Sequence, residues 1–600
     1  MRMAAPSDRL QGELGTKEGF VRGTRGQRRL VTIQKGTERS VKRKETIMKK
    51  HSIARAAVTA GLTIAMSLGG ALGPATMAFA ATDDGSVTIS KRADNDNTKL
   101  QGYQIFKADV ADVNGSKVAS NLEWASDQVK TDVQTATGKT FAKAQNAADY
   151  LATLSTSGTG YILANGDVLN TIANTLRNDT NLTPTTVTPG TASTGMSTGY
   201  WLFVTSKDST NNTADASKVD QTGTSPIYAI VGGSALTINQ KATIPTVDKY
   251  VKNDKTGSDW GKVADSEVEQ ELNYKLVGTV ADNVATYDTY YYKFTDTLSA
   301  GLAADLNSVV VKVKNGNAET TVAASSYRKN IDSATNTLTV EFTDLKKAKD
   351  ETGAAVTINK DSVVNVYYNA KLDKTKAYKL ASDTATSTTD TDYNNNPNTV
   401  KLTYSNNPNT DSKGDTTPHK VTDYTYKLNI VKEDSDTATK KLQGAKFTIR
   451  ATTPDDTDST NKYVQADGSF GTDAHEFETD ANGEIHVQGL DAGTYTVSET
   501  TAPTGYNKVA DFTFTITPTW NNTDATKATA LQSLAVTEEA SYVDSNADGT
   551  QVNLTVKDKA GHGLPLTGQA GVTLTWAAGG LVLAFGISRV VRNRHENDAE

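Results

Sequence analysis

The chain has 600 residues, with 62 Lys and Arg against 69 Asp and Glu for a formal net charge of −7, and it contains no cysteine. That length exceeds what one hydrophobic core serves and suits about three folded units with appendages, while the acidic balance argues against nucleic acid or an anionic lipid surface as a partner. Without cysteine neither a disulfide framework nor a thiolate metal site can form, so an extracellular protein of this composition needs another device to harden it.

Residues 1–47 are basic and lack apolar periodicity, and they read as an extension foreign to the mature protein, with Met48 as the natural start. Met48-Lys49-Lys50 and Arg55 then lead into an uncharged run that ends Ala78-Phe79-Ala80. This pattern predicts a secretory signal over 48–80, cut between Ala80 and Ala81. Beyond it Thr, Ser, Asn, Asp and Gly alternate with Val, Tyr and Ile, a strand-and-turn vocabulary.

Three segments each open with a short alternating strand that ends in lysine: Val87-Thr88-Ile89-Ser90-Lys91, Val247-Asp248-Lys249 and Leu428-Asn429-Ile430-Val431-Lys432. Linkers at Ala242-Thr243-Ile244-Pro245 and over 405–417, with Pro408 and Pro418 breaking strands, divide the chain into units 81–242, 243–418 and 419–560. Period-2 stretches at 308–314, 337–342 and 363–368 predict strands, and Asp480-Ala481-Asn482-Gly483 predicts a hairpin turn. The fold class is all-β, three immunoglobulin-like sandwiches in tandem. Only the first unit carries helical stretches, near 126–137 and 143–154.

Side chains alternate across a strand, so position parity identifies inward rows. In the first unit Lys91 ends the row Val87, Ile89, with no acid in the strand Gly199-Tyr200-Trp201-Leu202-Phe203-Val204 to meet it. At the end of that unit Leu236, Ile238 and Gln240 share one face, which places Thr237, Asn239 and Lys241 on the opposite, polar one. In the second unit Val247, Lys249 and Val251 share a face, as do Phe294, Asp296 and Leu298, and Asn398, Val400, Leu402 and Tyr404; Asn406 has the parity of Asn398. In the third unit Lys432 ends the row Leu428, Ile430, Glu499 ends Tyr495, Val497, and Asp558 ends Val552, Leu554, Val556. A buried ammonium needs a partner, and parity alone fits a buried ion pair as well as a reactive site.

At the C-terminus Leu564-Pro565-Leu566-Thr567-Gly568 precedes an uncharged stretch, 569–588, of about 20 residues or roughly 30 Å of helix, enough to span a bilayer core. Arg589, Arg592 and Arg594 follow and place that end in the cytoplasm. Asp544-Ser545-Asn546-Ala547-Asp548-Gly549 opens like a calcium loop but has Thr555 where the bidentate Glu belongs, so it reads as a turn. His475 and His486 lack ligand spacing, and no metal or cofactor site is expected.

Several of these segments resemble known pilin motifs. Tyr495-Thr496-Val497-Ser498-Glu499-Thr500-Thr501-Ala502-Pro503-Thr504-Gly505-Tyr506 resembles the E-box of collagen-adhesin (Cna) B-type pilin domains, and Lys432-Glu433-Asp434 with Leu442-Gln443-Gly444-Ala445-Lys446-Phe447 resembles their first strand and its continuation. The resemblance implies an isopeptide between Lys432 and Asp558, with Glu499 shuttling protons and water as leaving group. Pro245-Thr246-Val247-Asp248-Lys249, Phe294-Thr295-Asp296-Thr297-Leu298 and Asn398-Thr399-Val400-Lys401-Leu402-Thr403-Tyr404-Ser405-Asn406 resemble the A-type domain, which implies a bond from Lys249 to Asn398, or Asn406, under Asp296 as catalyst.

The terminal pentapeptide is similar to the LPxTG sorting signal in its LPLTG form. That likeness implies a sortase cysteine that attacks the Thr567 carbonyl, releases Gly568 onward and passes Thr567 to an amine. Lys241 stands where shaft subunits carry a pilin-motif lysine, although the tripeptide here is Asn239-Gln240-Lys241 rather than Tyr-Pro-Lys. Together these likenesses imply a major pilin of a Gram-positive surface fimbrium, joined by a class C-type sortase through Thr567 to Lys241 of the next copy and anchored to peptidoglycan. Tip or base pilins are further implied partners, and the only chemistry is autocatalytic bond formation. A monomeric wall-anchored adhesin for a host glycan or matrix protein shares every feature except the use of Lys241.

Overall fold

The computed structural model describes residues 84–561 apart from 94–95, 155–161, 208–219, 255–257, 377–395, 521–530 and 549–550. Ala80, Ala81, the pentapeptide Leu564 to Gly568 and the expected span at 569–588 lie outside the described residues. Among the described residues no helix is long and apolar enough to cross a membrane. The chain is mostly β, and its separate sheets form tandem β-sandwiches.

In the first unit, Ser116–Trp124, Leu100–Val113, Gly199–Thr205 and Ile227–Val231 lie side by side, while Asp84–Ile89 sits between Ala192–Ser197 and, in parallel, Leu236–Ile238. Three helices cover the larger sheet, because their apolar stripes face it: Val129 and Val133 of Asp127–Thr137, Ala147 and Leu151 of Ala144–Leu154, and Ile172 and Leu176 of Val168–Asn178 share one core with Phe106, Tyr200 and Leu202. The Ser126 hydroxyl accepts the Val129 N–H at 3.2 Å to start the first helix, and Gly138, at φ 63°, ends it in the left-handed conformation. The third helix was not predicted: its apolar residues are interleaved with Asn and Thr, a composition of low helix propensity.

The second unit is a sandwich of two large sheets. One runs Trp260–Gly261, Val247–Lys252, Glu271–Thr279, Ser362–Leu372, Leu302–Asn315, Ala318–Thr321. The other runs Val263–Asp265, His419–Tyr424, Asn396–Ser405, Tyr292–Leu298, Thr337–Phe342, Arg328–Asp332. His419–Tyr424, read from sequence as the head of the third unit, pair with Asn396–Val400, so the hand-over between sheets falls at Thr425.

In the third unit the first strand, Tyr426–Asp434, lies parallel to the last, Gln551–Asp558, with Lys432 opposite Val556 and Asp434 opposite Asp558. Glu484–Leu490 and Val543–Asp548 flank this pair. The facing sheet is built around Lys446–Pro454, Gly493–Thr501 and Phe512–Trp520. Two expectations are corrected here. Asp480 to Gly483 is not a hairpin: Phe477–Glu478 pairs with Lys446–Pro454 and Glu484–Leu490 with Tyr426–Asp434, so the turn crosses between sheets, held by Asp480 Oδ1 accepting the Asn482 and Glu484 N–H groups. Asp544 to Asp548 is strand rather than turn, antiparallel to Gln551–Asp558.

Candidate functional site

Each of the last two units buries one lysine against acids, and the strands decide which atoms meet. Lys249 lies on Val247–Lys252, inside the sheet that also carries Tyr368, while Asp296 and Asn398 stand on adjacent strands of the facing sheet. Lys249, Asp296 and Asn398 are wholly buried. The Lys249 amine donates to Asp296 Oδ1 and, at 3.0 Å, to the Tyr368 hydroxyl. That hydroxyl in turn donates to Asp296 Oδ2 at 2.6 Å and accepts from Asn398 Nδ2 at 2.6 Å, leaving Asn398 Oδ1 without a hydrogen bond. Amine, acid and amide are thus held around one phenol.

Desolvation lowers the Lys249 pKa to about 8, against the opposing pull of the Asp296 charge, and it raises that of Asp296. Both shifts favour the neutral forms. Tyr274 stacks on Tyr368, and the amine lies 5.5 Å from the centre of each ring, so the cluster is walled by aromatic faces. Asn406 is also buried, but it lies just past the end of the strand Asn396–Ser405, where its Oδ1 accepts from Ser412 and its backbone carbonyl from Gly223. Asn398 is therefore the amide in the lysine cluster. Sequence reading passed over Tyr368, whose signal was its parity with inward Val364 and Val366.

In the third unit the three inward rows converge as parity requires. The Lys432 amine lies 3.2 Å from Glu499 Oε1 and 3.3 Å from Asp558 Oδ2, with a directed hydrogen bond to neither. All three side chains are buried, and the Phe447 ring lies 5.5 Å from the amine. The remaining oxygens are occupied: the Val509 N–H donates to Glu499 Oε2 at 2.6 Å, and the Lys559 N–H to Asp558 Oδ1 at 2.9 Å. Burial raises the Glu499 pKa. An amine faced at short range by two carboxyls in a dry core is set up for condensation with one and proton exchange with the other.

Two other lysines depart from expectation. Lys91 does not continue the inward row: the strand ends at Ile89 and Lys91 is exposed. Lys241 lies beyond the strand Leu236–Ile238 and is half-buried instead of standing free on a polar face. Its backbone is tied down, its N–H donating to the Thr224 hydroxyl at 2.7 Å and its carbonyl accepting from the Ser225 N–H at 3.1 Å. Desolvation lowers its pKa to about 8. Burial thus favours the neutral form of this amine more than exposure to solvent would.

Residues 426–530 match the profile of the SpaA prealbumin-like fold domain. No curated protein matches the chain in sequence. Among solved structures, it is similar to the T6 backbone pilin of Streptococcus pyogenes serotype M6 (14% identity, covering 80% of this chain and 99% of that one, TM-score 0.45). It is similar also to the full-length major pilin SpaD of Corynebacterium diphtheriae (15%, 80% and 98%, 0.39) and to BcpA, the major pilin subunit of Bacillus cereus (14%, 80% and 99%, 0.35).

Proposed function

From the premise of a SpaA-type prealbumin-like domain at 426–530, we propose that the chain is the shaft subunit of a covalent surface fimbrium. A sortase cleaves it between Thr567 and Gly568 and joins Thr567 to Lys241 of the next copy, and the finished polymer passes to peptidoglycan. The observation that carries the reading is the pair of buried lysine clusters, which makes chemical sense in a cysteine-free chain that must bear tension.

In the second unit the neutral Lys249 amine attacks the Asn398 side-chain carbonyl carbon. Asp296 takes the amine proton and returns it to the departing nitrogen, so that an amide forms and ammonia leaves. Tyr368 holds the Asn398 amide and the amine together. In the third unit the Lys432 amine attacks the Asp558 carboxyl carbon, Glu499 relays the proton that the departing oxygen needs, and water leaves. Each bond ties lysine to a neighbouring or facing strand of its own sandwich.

A monomeric wall-anchored adhesin is the second reading, since it needs both clusters and the sorting signal but not Lys241. A denaturing gel of wall extracts probed for this chain separates the two. A ladder supports the polymer, and a single band at monomer mass overturns it.

A further inference from the structure

At the junction of the second and third units three carboxylates from separated segments converge. Asp254 follows the strand Val247–Lys252, Asp265 closes Val263–Asp265, and Asp491 sits between Glu484–Leu490 and Gly493–Thr501. One oxygen of each lies within 4.8 Å of the others. Asp265 and Asp491 are buried and Asp254 is half-buried.

The surroundings orient these groups but supply no positive charge, and burial raises the pKa of all three. Gln270 Nε2 donates to Asp254 Oδ2 at 2.6 Å, Asn253 Nδ2 to Asp265 Oδ1 at 2.6 Å, and the Tyr426 hydroxyl to Asp265 Oδ2 at 3.0 Å. Asp491 is different. Its side chain is completely buried, yet neither carboxylate oxygen has a hydrogen-bond partner, and Asp254 Oδ1 is in the same condition. The Asp455 carboxylate acts on Asp265 from close by, while burial raises the Glu267 pKa to about 8 and favours its neutral form. Asp491 and Asp254 can bond each other only through a shared proton, so a fully buried carboxyl facing two others with no donor from the rest of the fold calls for that proton or a positive ligand.

We propose that Asp254, Asp265 and Asp491 bind a divalent cation of the calcium class, two ligands from the second unit and one from the third. The donors are all carboxylate oxygens, the set that hard cations select. Calcium–oxygen distances of about 2.3–2.6 Å limit ligand oxygens on one ion to roughly 5 Å of each other, and the three oxygens here fall inside that limit. Gln270, Asn253 and Tyr426 then form the outer ring that fixes the ligands. Because the ligands come from two units, the ion clamps the angle between them. No linear motif announces such a site, since the three residues meet only when both sandwiches are folded and docked.

The test is done on the mature chain stripped with EDTA. Calcium and magnesium are titrated by calorimetry, and terbium by luminescence excited through tyrosine, for which Tyr426 is well placed. The wild-type chain binds one calcium ion, binds magnesium more weakly, and shows terbium emission that calcium displaces. Asp491→Asn keeps the side-chain volume and removes the charge, and its calcium affinity falls about tenfold or more. Its melting temperature in EDTA equals or exceeds that of the wild type, because like-charge repulsion is relieved, which shows that the loss is not misfolding. Should Asp491→Asn fail to fold, Asp254→Asn, at the half-buried position, carries the same comparison. A wild-type chain that takes up no calcium, or variants that bind it as tightly as the wild type, overturn the proposal and leave the carboxyls held by shared protons.

Discussion

A lysine amine is a nucleophile only without its proton, and burial is how this chain removes it. At Lys249 desolvation outweighs the attraction of Asp296, and desolvation also lowers Lys241, each to about 8. The sign for Lys241 follows from linkage. Its ordinary value is 10.5, so between pH 8 and 10.5 the unfolded chain holds a proton that the folded chain has shed, and stability rises with pH across that window. Competitive amine labelling read by mass spectrometry should give Lys241 a midpoint near pH 8, well below that of exposed lysines; a midpoint near 10.5 would remove the argument for its reactivity. At the two clusters, the folded wild-type chain should be lighter than its sequence mass by one ammonia and one water, about 17 and 18 Da. Glu499→Ala should restore the water and leave the ammonia missing. Tyr368→Phe should slow the Lys249 bond without abolishing it, since the phenol positions the amide while Asp296 carries the proton; an unchanged time course of mass loss would assign the hydroxyl to packing alone.

Between elements, the proposed cross-links would reinforce strand contacts that the fold already makes. The third unit's first and last strands are parallel neighbours, and a bond from Lys432 to Asp558 closes a loop of about 127 residues, worth roughly 4–5 kcal/mol by analogy with a long disulfide loop. Glu499→Ala should therefore lower the melting temperature as well as restore the mass. Sheet-to-sheet packing depends on a different residue, Gly278, on Glu271–Thr279. A Cβ there would collide with the Tyr292 hydroxyl and come within 2.8 Å of Phe294 Cζ, both on the facing sheet. Gly278→Ala should destabilise the second unit by about 1–3 kcal/mol through overpacking, measurable as a drop in denaturant midpoint.

At the scale of the whole molecule, the units are joined by hydrogen bonds that no strand pattern foretells. The Tyr404 hydroxyl donates to the Gln221 carbonyl at 2.9 Å, linking first and second units, and the Val268 N–H donates to the Gly489 carbonyl at 3.2 Å, linking second and third. Lys241 lies beside the first of these junctions, bonded through its backbone to Thr224 and Ser225, whose own hydroxyl meets Thr286 of the second unit. Lys241→Ala should abolish the ladder on a denaturing gel while secretion and attachment of single subunits persist. A ladder that survives would move the acceptor to another lysine.

Alternation in the sequence was enough to place Lys432, Glu499 and Asp558 on inward rows, and Lys249, Asp296 and Asn398 likewise, because strand geometry ties parity to side and the apolar neighbours reveal which side is buried. The all-β class was legible for the same local reason, and two of the three α-helices among the described residues from their own apolar spacing. Where parity met the end of a strand it failed: Lys91 is exposed after Ile89, and Lys241 is half-buried, its backbone N–H bonded to the Thr224 hydroxyl. Tertiary structure alone decided that Asn398 and not Asn406 meets Lys249, that Tyr368 bridges them, and that Asp254, Asp265 and Asp491 converge. Those facts depend on which strands of opposite sheets and adjoining units pack together, and the contact of residues far apart in the chain is written in no local period.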